Sequence, residues 1–295
     1  MRIFVTGATG FLGRAFCESA ARAGHDLLGL SRSREATSPE GCSLVEGSLA
    51  NIPWDAIERF AADAALHLAW IATPGNYLNS PDNAVWVEQS EALFQGLARR
   101  GIRQIAGTGT CIEYAPSDLP LSEDKSPLAP ASPYAAAKVE TCRRLESLAA
   151  TEDISWSWFR VFYPYGEGEH PDRMPSALLR KFCAGEAVEL KTPDSVKDYI
   201  HITDVARGML AALEGRITGP VNIGTGNGVR IMELARMLAR CCDCDAALVT
   251  KAEKLTMDPF PTTVADITKL QANGWRPSIA LEDGIQRLWK SLKRE

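Results

Sequence analysis

The chain has 295 residues, a net charge of −5 and a composition that is 45% hydrophobic and 23% charged, which is soluble globular material long enough for a cofactor domain plus a smaller second lobe. The acidic balance, without any dense Lys/Arg run, excludes a nucleic-acid footprint. No apolar stretch approaches the length of a membrane span.

In chain order, residues 2–6 form a short apolar strand that runs at once into Thr6-Gly7-Ala8-Thr9-Gly10-Phe11-Leu12-Gly13. A strand, a turn with glycine at every third position and a helix (14–23) is how a backbone is brought against a pyrophosphate. Gly7 permits the tight turn, Gly10 the approach of the phosphates, and Gly13 the packing of helix on strand. The helix N-terminus offers free N–H groups to the anion. With this turn so near the first residue, no signal peptide is expected and a cytoplasmic location follows.

Further strands are predicted at 25–31, 42–46, 65–69, 104–107 and 155–161, with helices near 54–62, 84–100 and 133–150. Repeated strand–helix units imply an α/β, Rossmann-type doubly wound parallel sheet, with ligands at the carboxyl ends of its strands. After Phe162 the texture changes to loop chemistry (163–172). A helix at 175–184, strand pieces at 188–191 and 197–202, a helix at 203–214 and a short strand at 221–223 follow. The glycine-rich turn at Gly224, Gly226 and Gly228 then leads to helices at 231–239 and 280–293. The second lobe is expected to be smaller, C-terminal, substrate-binding and interleaved. Residues 1–163 with about 198–223 would form the dinucleotide domain, and about 164–197 with 224–295 the lobe. Eight cysteines are scattered in mostly apolar surroundings and read as reduced, small hydrophobes. Cys241-Cys242-Asp243-Cys244 lacks a second pair and a nearby histidine, so no metal is expected.

Tyr134-Ala135-Ala136-Ala137-Lys138 places a phenol and an ammonium four apart on one helical face, where the cation is expected to lower the phenol's pKa. A hydroxyl at the end of the 104–107 strand would hold a reacting oxygen; Thr110 is the first choice and Thr108 the reserve.

These residues resemble the extended short-chain dehydrogenases/reductases, the nucleotide-sugar epimerase/dehydratase group. The likeness runs through TGATGFLG (6–13), HLAW (67–70), GTGTCIEY (107–114), SPYAAAK (132–138), RVFYPYG (160–166), KDYIHITDVA (197–206), NIGTGNG (222–228) and NGWRP (273–277). It implies a hydride mechanism in which Tyr134 exchanges a proton with the sugar oxygen. Lys138 would serve the phenol and the nicotinamide ribose, and Thr110 would hold the reacting oxygen. The same resemblance implies a cofactor held by Gly7, Thr9, Gly10, Phe11, Leu12 and Gly13, by Ser31, Arg32 and Arg34, by Leu68, Ala69 and Trp70, and by Tyr134, Lys138 and Phe162. Thr73, Thr110, Tyr163 and Lys197 would face a nucleotide-sugar substrate, with Asn76 and Tyr77 in the same loop as Thr73. The helices at 84–100 and 133–150 resemble those that pair family members into a homodimer.

Three departures refine what the resemblance implies. Arg32 and Arg34 stand where NAD-preferring members carry an acid, and two arginines suit a 2′-phosphate, so NADP is favoured over NAD. Cys111 and Ile112 replace the Asp-Glu pair of the dehydratases, and Glu113 comes one position late. Tyr163 replaces a usual Asn, and Lys197 a usual Arg, which removes a bidentate fork. The expected activity is reduction of a 4-keto-6-deoxy sugar nucleotide, with a 4-epimerase retaining NAD as the alternative. A reductase of a smaller carbonyl compound and a non-catalytic dinucleotide-binding regulator are the remaining readings.

Overall fold

A computed structural model describes residues 1–294. The first part of the chain alternates strand and helix: β1 (Arg2–Thr6), α1 (Phe11–Arg22), β2 (Asp26–Ser31), β3 (Cys42–Glu46), α2 (Trp54–Phe60), β4 (Ala64–His67), α3 (Asp82–Arg99), β5 (Gln104–Thr110), α4 (Pro133–Glu152) and β6 (Ser155–Val161). There follow β7 (Tyr163–Tyr165), α5 (Met174–Cys183), β8 (Val188–Leu190), β9 (Val196–Lys197), β10 (Tyr199–His201), α6 (Ile202–Glu214) and β11 (Gly219–Ile223). The chain closes with β12 (Val229–Arg230), α7 (Ile231–Cys241), β13 (Val249–Lys251), β14 (Thr262–Thr263), α8 (Thr268–Gln271) and α9 (Leu281–Leu292).

Seven strands form one sheet in the order β11-β6-β5-β4-β1-β2-β3, and every pairing in it is parallel. The order reverses between β1 and β4, which puts the switch point at the carboxyl end of the glycine-turn strand. Side chains alternate across the sheet: Ile3 and Val5 join a core with Phe16, Phe159 and Met209, whereas Phe4 joins Ile57, Phe94, Ile105 and Leu145 on the other face. A third core, around Leu179, Phe182, Leu234, Leu238, Ile285 and Leu288, belongs to the C-terminal lobe. That lobe is interleaved with the sheet, since α6 and β11 return to it after α5. Among the described residues no helix is long and apolar enough to cross a membrane.

Differences from the expected elements fall where polar groups divert the backbone. β4 stops at His67 rather than residue 69, because the Leu68 N–H donates to the Thr6 carbonyl and the Ala69 N–H to Thr6 Oγ1. The chain thereby crosses over the glycine turn. β5 runs three residues further than expected, to Thr110, paired with Val161 of β6. The strand expected over 197–202 is split at Asp198. Its buried carboxylate accepts the N–H groups of Thr225, Gly226 and Ala265, and α6 begins at Ile202 with His201 as its cap.

Candidate active site

The glycine turn shows why Gly7 and Gly13 are required and how Gly10 leaves its face open. Gly7 has φ +71°, and a Cβ there would lie 2.8 Å from the Ala69 nitrogen. A Cβ on Gly13 would lie 2.0 Å from the Gly7 carbonyl oxygen. Gly10 is open apart from one 3.3 Å approach to that same oxygen. It is the N-cap of α1, which has no capping side chain and no acid in its first turn. An uncapped helix end of this kind presents free N–H groups and a positive dipole end.

It opens on a cleft of about 470 Å³ lined by Gly7, Thr9, Gly10, Phe11, Leu12, Gly13, Ser31, Arg32, Leu68, Ala69 and Trp70, with Pro164 and Arg173 from beyond β6. The open Gly10 face and bare helix end fit a dinucleotide diphosphate, and these residues would hold it. At the rim, Arg34 pairs with Glu46 at 3.0 Å. Arg32 is exposed and, among the described residues, has no ion-pair partner. Ser31 Oγ donates to the Ser33 carbonyl at 2.9 Å.

A second cleft, of about 550 Å³, shares Leu12, Leu68, Trp70, Pro164 and Arg173 with the first and contains Thr110, Tyr134 and Lys138. Phe162 and Tyr163 also line it, as do Tyr77, Cys111, Ile112, Pro259 and Phe260. Ser132 fixes the entry to α4: its Oγ accepts the Ala135 N–H at 3.2 Å, and Pro133 occupies the first turn. Tyr134 and Lys138 therefore leave the helix on one face, one turn apart. The Tyr134 ring meets Tyr77 edge-on, with centroids 4.7 Å apart.

Lys138 is buried; its Nζ donates to the Thr108 carbonyl at 2.8 Å and lies 3.8 Å from the Trp70 ring centroid. Burial brings the ammonium down to about 7, with Glu113 pulling it upward. Burial also pushes the Tyr134 phenol up, and Arg173 is the cation that opposes this. Lys138 Nζ lies 5.8 Å from the Tyr134 ring centroid and is turned to the Thr108 carbonyl and the indole. Of the two candidate hydroxyls, Thr108 donates to the His67 carbonyl at 3.3 Å. Thr110 Oγ1 accepts the Ile112 N–H at 3.5 Å, lies within reach of the Cys111 thiol and lines the cleft.

The position of Thr110 is set by groups that sequence reasoning missed. Glu113, fully buried, accepts the Thr110 N–H at 2.9 Å, Trp158 Nε1 at 3.1 Å and Arg160 Nε at 2.8 Å. Arg160 also donates to the Tyr114 hydroxyl, which donates to Asn222 Oδ1 at 2.8 Å. Glu113 is thereby turned away from the cleft. His67 joins a second chain: Thr6 Oγ1 accepts the Ala69 N–H, so its own proton goes to His67 Nδ1 at 2.7 Å. His67 Nε2–H then donates to Ser90 Oγ at 2.9 Å, and Ser90 to the Trp86 carbonyl at 2.6 Å. Burial, then the charge of Lys138, lower His67 to about 3, so the ring is neutral.

Two expected substrate residues lie elsewhere. Thr73 is exposed and its carbonyl closes a turn by accepting the N–H groups of Asn76 and Tyr77. Lys197 is buried and paired with Asp258 at 2.9 Å, and it also donates to the Phe260 carbonyl. Arg173, the N-cap of α5, is the cation that lines both clefts; it sits in a loop where no spacing rule marks it. Among the described residues no Asp or Glu lines either cleft. Among the described residues no cluster of His, Cys, Asp or Glu is arranged to hold a metal ion.

Residues 3–224 match the model of the NAD dependent epimerase/dehydratase family. The chain belongs to this family. It is accordingly an enzyme of the dinucleotide-dependent type that its clefts suggest. It is similar to UDP-glucose 4-epimerase of Neisseria meningitidis serogroup B, with 27% identity over 93% of this chain and 96% of that protein. It is also similar to dTDP-4-dehydro-6-deoxyglucose reductase of Escherichia coli, with 27% identity over 99% of this chain and 97% of that protein. Among solved structures, the Thermus thermophilus UDP-glucose 4-epimerase complex with NAD superposes with a TM-score of 0.86 at 25% identity, covering 99% of each chain.

Proposed function

We propose that the protein is an NADP(H)-linked reductase of a nucleoside-diphosphate 4-keto-6-deoxyhexose. The observation that carries this reading is the meeting of Thr110, Tyr134 and Lys138 in a cleft continuous with the dinucleotide cleft, with no carboxylate among the described residues lining either. Water elimination needs an acid and a base beside the sugar; carbonyl reduction needs one proton donor and one oxygen-holding hydroxyl. Thr110 would hold the carbonyl oxygen by its hydroxyl. Tyr134 would give its phenolic proton to that oxygen as charge develops there, and regain one from solvent. Lys138 would steady the resulting phenolate and the ribose hydroxyls. A bound reduced nicotinamide supplies the hydride.

NADP is favoured because Arg32, unpaired among the described residues, lies on the cofactor rim, where a 2′-phosphate would pair with it. With Lys197 neutralised by Asp258, the cation left for a substrate diphosphate is Arg173; Tyr163 would supply a hydroxyl wall, and Lys197 would act through the Phe260 segment it holds. The likeness to the E. coli reductase supports the reaction class. The likeness to UDP-glucose 4-epimerases supports the second reading, a 4-epimerase that oxidises and re-reduces one carbon on retained NAD. Cofactor content and net turnover separate the two. Protein purified free of dinucleotide that consumes NADPH with dTDP-4-dehydro-6-deoxyglucose supports the reductase. Stoichiometric bound NAD with no net redox change overturns it.

We also propose a homodimer through α3 and α4, where Val85 is 52% exposed and Arg144 of α4 pairs with Glu88 and Glu91 of α3. A monomer by light scattering at micromolar concentration would refute it. The division at 1–163 with about 198–223, against about 164–197 with 224–295, is proposed as the boundary between cofactor and substrate functions.

A further inference from the structure

Lys138 is a buried cation without a counter-ion: among the described residues it makes no ion pair, and its one acceptor is the Thr108 carbonyl at 2.8 Å. A lysine in that state sheds its proton readily. The charged and titratable groups facing it are few. Glu113, from the turn after β5, acts at a distance and is engaged by Arg160. His67 of β4 is neutral, and Tyr134 is a protonated phenol whose ring centroid lies 5.8 Å from Nζ. The nearest partner after the carbonyl is the Trp70 indole, 3.8 Å from Nζ to the ring centroid. That indole is fixed from its other edge, where Nε1 donates to Asn83 Oδ1 at 2.9 Å and buried Asn83 donates to the carbonyls of Tyr77 and Ser80.

We propose that Trp70 is a positioning residue whose indole face keeps the Lys138 ammonium charged and in place on the floor of the reaction cleft, standing in for an absent carboxylate. A ring face attracts a cation most strongly where water is excluded, and Lys138 is 3% exposed. The tether through Asn83 also joins this cover to the turn carrying Tyr77, whose ring packs on Tyr134. One indole thus touches Lys138 on one side of the cleft and, through Asn83, the turn of Tyr77 on the other.

The test is a ¹³Cε-lysine NMR titration of the cofactor-free protein, with the Lys138 signal assigned by its loss in Lys138→Arg. The wild type is expected to titrate near 7. In Trp70→Leu, which keeps an apolar cover without a ring face, the midpoint is expected to fall by about one pH unit. Trp70→Phe is expected to fall between the two. Should the leucine variant not fold, a tetrafluorinated tryptophan at position 70 retains the shape, removes the face charge and is expected to lower the midpoint likewise. An unchanged or raised midpoint in the leucine or fluorinated protein overturns the proposal. The role of Lys138 in turnover rests on the proposed function and is tested apart. If the titration moves while the pH profile of kcat does not, that role fails and the assignment of Trp70 stands.

Discussion

Glu113→Gln is the substitution most strongly constrained by the structure. The carboxylate is 0% exposed and takes three donors, from Thr110, Trp158 and Arg160. Burial works against the charge of Arg160, and Glu113 with Tyr114 more than offsets it, holding the guanidinium above its ordinary range. Glutamine has the same shape but removes the charge and turns an NH2 group toward donors. The guanidinium, 3% exposed, is then left without its anion. Removing one member of a buried pair costs about 3–5 kcal/mol, a large share of the roughly 5–15 kcal/mol typical of a native protein. Equilibrium urea unfolding followed by tryptophan fluorescence measures it directly, since Trp158 lies against the pair. The Thr110 N–H loses its charged acceptor as well, so kcat is expected to fall in whatever fraction folds. Glu113→Leu combined with Arg160→Met should recover much of the loss, because two apolar groups leave nothing unpaired. A loss below about 1 kcal/mol for Glu113→Gln, the scale of one ordinary hydrogen bond, would refute the reasoning.

Arg32→Ala is expected to weaken NADP binding by roughly tenfold or more and leave NAD binding unchanged, as one charge-assisted contact of about 1.5–3 kcal/mol is lost; calorimetry with both cofactors checks this, and equal losses count against it. Gly13→Ala places a methyl 2.0 Å from the Gly7 carbonyl oxygen, so thermal unfolding should drop and dinucleotide binding disappear; a protein that still binds would contradict the packing argument. His67 gives a pH dependence of known sign. Its folded value of about 3 lies below the ordinary 6.5, so between those values the unfolded chain binds a proton that the folded chain does not. Stability is lost as pH falls through that window, by up to about 1.4 kcal/mol per pH unit. From pH 6.5 to 5 the wild type should therefore lose about 1.6 kcal/mol more than His67→Gln in urea unfolding, and parallel slopes would sink the assignment.

The strand–helix alternation and the glycine turn were legible because both are local: a period of two or 3.6 residues, and backbone contacts within one turn. Tyr134 and Lys138 were legible for the same reason, being four apart on one helix. Thr110 could be reached from its place at a strand end. What the sequence did not disclose depends on contacts between distant segments. Arg160 lies 47 residues from Glu113, and no spacing rule joins them. Asp258 neutralises Lys197 across 61 positions, so a lysine that reads as a phosphate ligand is buried and paired. Arg173 reaches both clefts only because the segment entering α5 returns to the glycine turn, where its guanidinium lies 5.9 Å from the Phe11 ring centroid. The direction of the Lys138 ammonium was not legible, because i,i+4 spacing fixes a shared face but not where a flexible side chain turns; here it meets the Thr108 carbonyl and the Trp70 indole.

The central claim, that this cleft carries out net hydride transfer to a sugar carbonyl with Tyr134 as proton donor, is tested most directly by isotope. NADPH carrying deuterium at the nicotinamide C4 position is incubated with dTDP-4-dehydro-6-deoxyglucose, and the product is examined by mass spectrometry and NMR. One deuterium at sugar C4, with NADP released in equal amount and the reaction lost in Tyr134→Phe, is the predicted result. Unlabelled sugar, or label-free interconversion of 4-epimers on retained NAD, would contradict it.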